Sequence, residues 1–178
     1  MKPEITIDAR DFFNMSKEFR RLPREIKGKV MNRAYGRVMS MAKTRVVRLS
    51  AKRISIAQKH VRERVHNKAN VSAAQRGLVV RSDWISLYAL GARQGRRGVL
   101  VKGRKSIRGT FIANMSSGNT GVFRRAGADR LPINKMFGPN PANDVATSPD
   151  PFEDIMADVA ESHLAPRMLH ELLRILPD

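Results

Sequence analysis

The chain has 178 residues, 42% of them apolar, enough for one globular domain with a sizeable core. It has no cysteine, which excludes disulfides, zinc–thiolate sites, iron–sulfur clusters and cysteine nucleophiles. Lys and Arg number 34 against 16 Asp and Glu, so a net charge of +18 asks for a polyanionic or acidic partner, or for an assembly that neutralises it.

In chain order, Glu4 to Ala9 alternates apolar and polar residues and reads as a short half-buried strand. The opening Met1 to Glu4 has no apolar h-region, so no signal peptide is expected. Ser16 to Arg21 reads as a helical lead-in, and Pro23 stands where a helix starts, with Glu25 in its first turn. From Ile26 to Leu49 the spacing is helical. Ile26, Val30, Ala34, Val38, Ala42, Val46 and Leu49 form one stripe, widened by Met31 and Tyr35, while lysines and arginines fill the other faces. Ser55 and Gln58 have capping-box spacing and predict a second helix that ends near residues 66 to 68.

Between about residues 70 and 113 the period shifts toward two. Strands are expected at Val71 to Val80, Trp84 to Leu90, Val99 to Val101 and Ile107 to Ala113, with Trp84 and Tyr88 in the core. Nine of the 12 glycines fall between Gly91 and Gly138, so this region is turns and loops over a sheet. Phe111 to Ala113 and Val122 to Phe123 read as two strands of a hairpin around the turn residues Ser116 to Gly121. Leu131-Pro132-Ile133 reads as an apolar corner packed on the sheet. Residues 138 to 151 are proline-rich and polar and read as an extended connector. Asp150, Pro151 and Glu153 then start a helix whose apolar face runs to Leu176, with a kink or break expected at Pro166.

The fold class is therefore α+β: a long N-terminal basic helix packed on a mostly antiparallel sheet, with a C-terminal helix after a Pro-rich connector. Three parts are expected. Residues 1–138 form an α+β body, 139–150 a connector, and 151–178 a terminal helix packing on the body or on a neighbouring subunit. No apolar run approaches the roughly 20 residues of a membrane span, so no membrane partner is expected.

Charge divides along the same lines. Lys17 to Arg108 holds 26 basic and 4 acidic residues, whereas Asp144 to Asp178 holds 2 basic and 8 acidic ones. The anionic end either folds back on its own cationic body or reaches the next copy in a head-to-tail assembly.

Motifs that carry chemistry are thin. His60 and His66, or His163 and His170, lack the spacing and the added ligands of a metal site, so no metal and no cofactor is expected. No Gly-x-Ser-x-Gly elbow and no phosphate-binding loop ending in Gly-Lys-Ser/Thr occurs, which argues against an enzyme. The segment from Ala92 to Gly109 clusters Arg93, Arg96, Arg97, Lys102, Arg104 and Lys105 among small residues. Such a basic hairpin can touch DNA phosphates without reading sequence, or face an acidic protein. Lys59, Arg62, Arg64 and Lys68 on the second helix leave a duplex reader open. A free, nonspecific nucleic-acid-binding protein is the competing reading.

The stretch from Gly109 to Ala142 is distinctive. Its features are Phe111-Ile112-Ala113, Met115, Ser117-Gly118, Gly121-Val122-Phe123, Arg125, Arg130-Leu131-Pro132-Ile133 and Phe137-Gly138-Pro139. With the order of helices and strands around it, this stretch resembles the phage minor tail protein Z family, also called tail completion proteins. The resemblance implies a structural virion protein of a long-tailed phage, acting at the head-proximal end of the tail tube. It implies a ring of copies of the chain, six being the expected number. Tail tube, tail terminator or neck proteins would be its partners, with genomic DNA in the lumen. It places the chain in the virion tail, and in the host cytoplasm during assembly. Phe111, Ile112, Met115, Gly118, Gly121, Phe123, Arg125, Arg130, Pro132, Phe137 and Pro139 are the expected subunit or partner contacts.

Overall fold

A computed structural model describes residues 4–7, 23–70, 75–104, 106–116 and 118–175. The lead-in at 16–21 and Lys105 lie outside the described residues. The elements in order are β1 (Glu4–Ile7), α1 (Arg24–Arg53), α2 (Gln58–Arg62), β2 (Val65–Asn70), β3 (Gln75–Val80), β4 (Arg93–Gly95), β5 (Gly98–Leu100), β6 (Ile107–Arg108), β7 (Thr110–Asn114), β8 (Thr120–Arg125), β9 (Ile133–Lys135), α3 (Pro141–Thr147) and α4 (Asp150–Leu173).

The fold is α+β, as the residue pattern predicts, and among the described residues the strands form three antiparallel sheets of three: β1-β3-β2, β4-β5-β6 and β7-β8-β9. α1 spans about 45 Å at 1.5 Å per residue. It buries the expected stripe from Val30 to Val46, with Ile26 and Leu49 half-buried at the ends, together with Met39, Val47, Ser50 and Ala51. α4 lies against it in the opposite direction. Three pairs set the register: Arg33 with Glu171, Arg45 with Asp158, and the Arg53 guanidinium 5.9 Å from the Phe152 ring centre. Leu78 and Val80 of β3 and Val65 of β2 close the main core beneath the two helices. A second, smaller core gathers Leu87, Ala92, Val99, Val101 and Val122 among β4 to β9.

Several expectations fail locally. The second helix stops at Arg62, and Val65 to Asn70 is a strand. Val61 and Val65 are four apart and fit either structure; Val65 finds Val80 opposite it on β3, and the β-branched pair decides the matter. Ser55 caps nothing: its φ is +53° and the helix begins after Ala57. Trp84 to Leu90 is not a strand. It makes one bridge, Ser86 to Phe137, and then turns, with the Leu90 and Gly91 N–H groups donating to the Leu87 and Tyr88 carbonyls. Ile85 and Leu87 point inward, so Trp84 and Tyr88 are left 61% and 45% exposed rather than in the core. Leu131 is 67% exposed and does not pack on the sheet.

The connector is not extended throughout. Asn140 caps α3: its side-chain oxygen accepts the Ala142 N–H at 3.0 Å, Pro141 takes the first helical position, and the Asn140 amide donates to Ser82 Oγ. α4 passes through Pro166 without breaking. Proline removes the bond to the Ser162 carbonyl, but both residues lie on the exposed face, where water can take that carbonyl.

Candidate functional site

The central motif folds into one hairpin. β7 and β8 pair with Phe111 opposite Phe123, Ile112 opposite Val122 and Ala113 opposite Gly121. Gly118, at φ +77°, turns the chain, and its N–H donates to the Met115 carbonyl. The Phe111 and Phe123 ring centres are 6.3 Å apart, and the Arg125 guanidinium sits 5.8 Å from the Phe111 centre. β9 extends the sheet: Lys135 stands opposite Phe123, and its ammonium lies 5.6 Å from the Phe137 ring.

Phe111, Phe123, Arg125 and Phe137 thus form one continuous aromatic and cationic strip. Phe123 and Gly121 are buried inside it, Phe111, Ile112 and Met115 are half-buried, and Gly118, Arg125 and Phe137 are exposed. Arg130 and Pro132 sit apart from the strip, exposed in the loop that joins β8 to β9. Pro139 is half-buried at the other end, beside the cap of α3.

The chain is held closely beside Phe137. The Gly138 N–H donates to the Ile85 carbonyl at 2.6 Å, and a Cβ at Gly138 would stand 2.8 Å from Leu90 Cδ1 and 3.2 Å from that carbonyl. A larger residue here would need Leu90 to swing aside and the Ile85 carbonyl to give slightly.

The basic segment divides in two. Arg96 and Arg97 form the exposed turn between β4 and β5, while Arg93 stands at the far end of β4, opposite Leu100. Lys102 and Arg104 lie beyond the other end of β5. There Arg104 donates to the Ile54 carbonyl at 2.9 Å and ties that turn to the end of α1. The segment is therefore a basic tip and a separate basic anchor, not a single patch.

The anionic end folds back on the cationic body in part. Arg45 pairs with Asp158, and Arg53 with Asp144 at 2.9 Å. Glu171 is 2% exposed and draws in Arg167 at 3.1 Å, with Arg33 and Arg174 each at 3.9 Å. His60 is half-buried on α2; burial, and then the charge of Lys59, hold its pKa below the ordinary 6.5. Among the described residues, no three His, Asp or Glu side chains gather in a way that would hold a metal ion.

A family model described as prophage minor tail protein Z (GPZ) matches residues 15–176. The chain belongs to this family. No curated protein and no solved structure matches it. Membership makes the protein a minor tail protein of a phage, a structural part of the virion tail that meets other tail or virion proteins. The matched residues take in α1 to α4 and β2 to β9, and they leave β1 outside. No described helix is long and apolar enough to cross a membrane.

Reading the sequence missed the arginines between α1 and α4. Arg37, Arg45 and Arg48 pass as ordinary solvated helix positions. The available signal was Gly36, Ser40 and Thr44, small residues at intervals of four that open the helix surface between those arginines.

Proposed function

We propose that this minor tail protein is a tail completion subunit. It forms a ring at the head-proximal end of the tail tube, where it helps join head to tail and position the DNA. The observation that carries the reading is the distribution of exposed apolar side chains. Trp84, Tyr88, Leu100, Leu131 and Phe137, five of the seven large exposed hydrophobics among the described residues, lie in the glycine-rich sheet half. Arg93, Arg96, Arg97, Arg125 and Arg130 are exposed in the same half. Exposed aromatics beside arginines are the composition of a protein contact rather than of a free surface. In this reading the sheet half meets neighbouring subunits and tube or neck proteins, and the ring takes no catalytic part.

The test is to locate the chain in intact particles by cryo-electron microscopy, and to count particles made without it. The reading expects a ring of density at the tube's upper end, and headless tails when the chain is missing. Normal particles without it would overturn the reading. The competing free nucleic-acid binder draws on the exposed Arg93, Arg96 and Arg97 of the β4–β5 hairpin. It predicts duplex affinity that falls steeply with salt and is lost when those three are replaced.

A further inference from the structure

Along the outer side of the α1–α4 pair runs a groove of about 520 Å³, walled by Arg37, Arg45, Arg48 and Arg167 over a floor of Met41 and Thr44. It continues into a second hollow of about 440 Å³ that reaches Arg33, Arg174 and the buried Glu171. Within the chain Arg45 is matched by Asp158, and Arg167 by Glu171. Arg37 and Arg48 are exposed and have no carboxylate partner among the described residues. The Arg167 Nε–H is buried and has no hydrogen-bond partner. The groove is thus a cationic trough with an apolar floor, lacking the negative charge that would complete it.

The same chain carries the complement. From Asp150 to Ser162 α4 has five carboxylates and no basic residue. Asp150, Glu153, Asp154 and Glu161 are exposed and have no cationic partner among the described residues. Asp150, Asp154, Ala157 and Glu161 follow one another at intervals of four, three and four. Arg37, Met41, Thr44 and Arg48 do the same on the groove, so both form straight stripes of matching length on helices. Ala157 leaves the middle of the acidic stripe low, where a floor of Met41 and Thr44 needs contact rather than charge.

We infer that the arginine groove of one copy receives the acidic stripe of α4 from a second copy. This inference rests on the self-assembly reading above and adds a helical contact to the sheet-half contacts named there. A nucleic-acid backbone is the poorer occupant. It would leave the apolar floor unused, and the acidic stripe alongside would repel it.

Analytical ultracentrifugation of the full chain over a range of concentration and salt tests it, with two variants. R37E/R48E reverses the groove and D154K/E161K reverses the stripe. All four side chains are exposed, and circular dichroism checks that both variants fold. Each variant alone is expected to self-associate about tenfold more weakly or worse, because like charges then face each other. Mixing the two restores association, since each supplies the charge the other has lost. If the natural chain associates and neither variant changes it, the inference is overturned while ring assembly stands. A natural chain that stays monomeric throughout overturns both. Loss of binding to random-sequence duplex in R37E/R48E, with self-association intact, assigns the groove to nucleic acid and overturns the inference.

Discussion

The two halves of the molecule are built on different principles. Among the described residues, the helical half buries 21 in a core drawn mainly from α1, α4, β2 and β3. The sheet half, β4 to β9 with the segment before them, buries five. Buried apolar area is the main source of stability, so the first half is a scaffold that holds its shape through packing. The second is held by hydrogen bonds, close glycine contacts and a few valines, and it exposes most of the large apolar side chains. Packing stability is concentrated in the first half and exposed apolar contact chemistry in the second, while the charged α1–α4 groove adds an electrostatic surface to the scaffold itself.

The comparison can be broken most directly at Phe152, which is fully buried where α4 meets α1. Phe152→Ala is expected to cost about 3–5 kcal/mol and to lower the denaturation midpoint of the whole chain, sheet half included. Equilibrium unfolding followed by tryptophan fluorescence and by circular dichroism checks whether both halves fail together.

Gly98→Ala attacks the other half. Gly98 has φ +147°, and a Cβ there would stand 2.1 Å from the Ile107 carbonyl oxygen. The substitution is expected to cost about 3 kcal/mol by parting β5 from β6. Amide hydrogen exchange should then rise through residues 93–125 while α1 keeps its protection. Loss of protection in α1 to the same degree would show that the two halves are one cooperative unit.

A smaller effect sharpens the electrostatic side of the scaffold. Arg167→Met removes the nearest partner of the buried Glu171 and leaves the carboxylate to the more distant Arg33 and Arg174. A loss of about 2 kcal/mol is expected. In E171Q/R167M part of that loss returns, because no buried charge remains to be matched; a double-mutant cycle measures the recovery.

The smallest effect concerns His60. Its folded pKa lies below 6.5, so the folded chain takes up this proton less readily than the unfolded one. The stabilising contribution of neutral His60 is complete above that value and declines as the pH falls through 6.5 to below the folded pKa. His60→Gln is expected to flatten the stability curve on that acid side and to leave it unchanged at pH 8, as denaturant titrations at each pH would record.

The same division governs what the sequence could reveal. α1 was legible because a stripe from Val30 to Val46 repeats with helical period over many turns, and long-range packing needs no more than that. The hairpin of β7 and β8 was legible from its turn residues. Elsewhere the deciding partner is distant in sequence. Val65 becomes a strand residue through Val80, Trp84 is turned outward because Ile85 and Leu87 fill the core, and Asn140 becomes a cap with Ser82 bracing its amide. The arginine groove was hidden for the same reason: Arg167 stands beside Arg37 only after α4 has folded back along α1.

One consequence of the link between the halves is mechanical. Arg104 of the sheet half grips the Ile54 carbonyl at the end of α1. This is a directional tie rather than a sliding apolar surface, and its strength falls steeply once its geometry is lost. A tug on the glycine-rich sheet is therefore delivered to the rear of the long helix with little slack. The subunit would transmit force as a single link of a chain, up to a sharp breaking point.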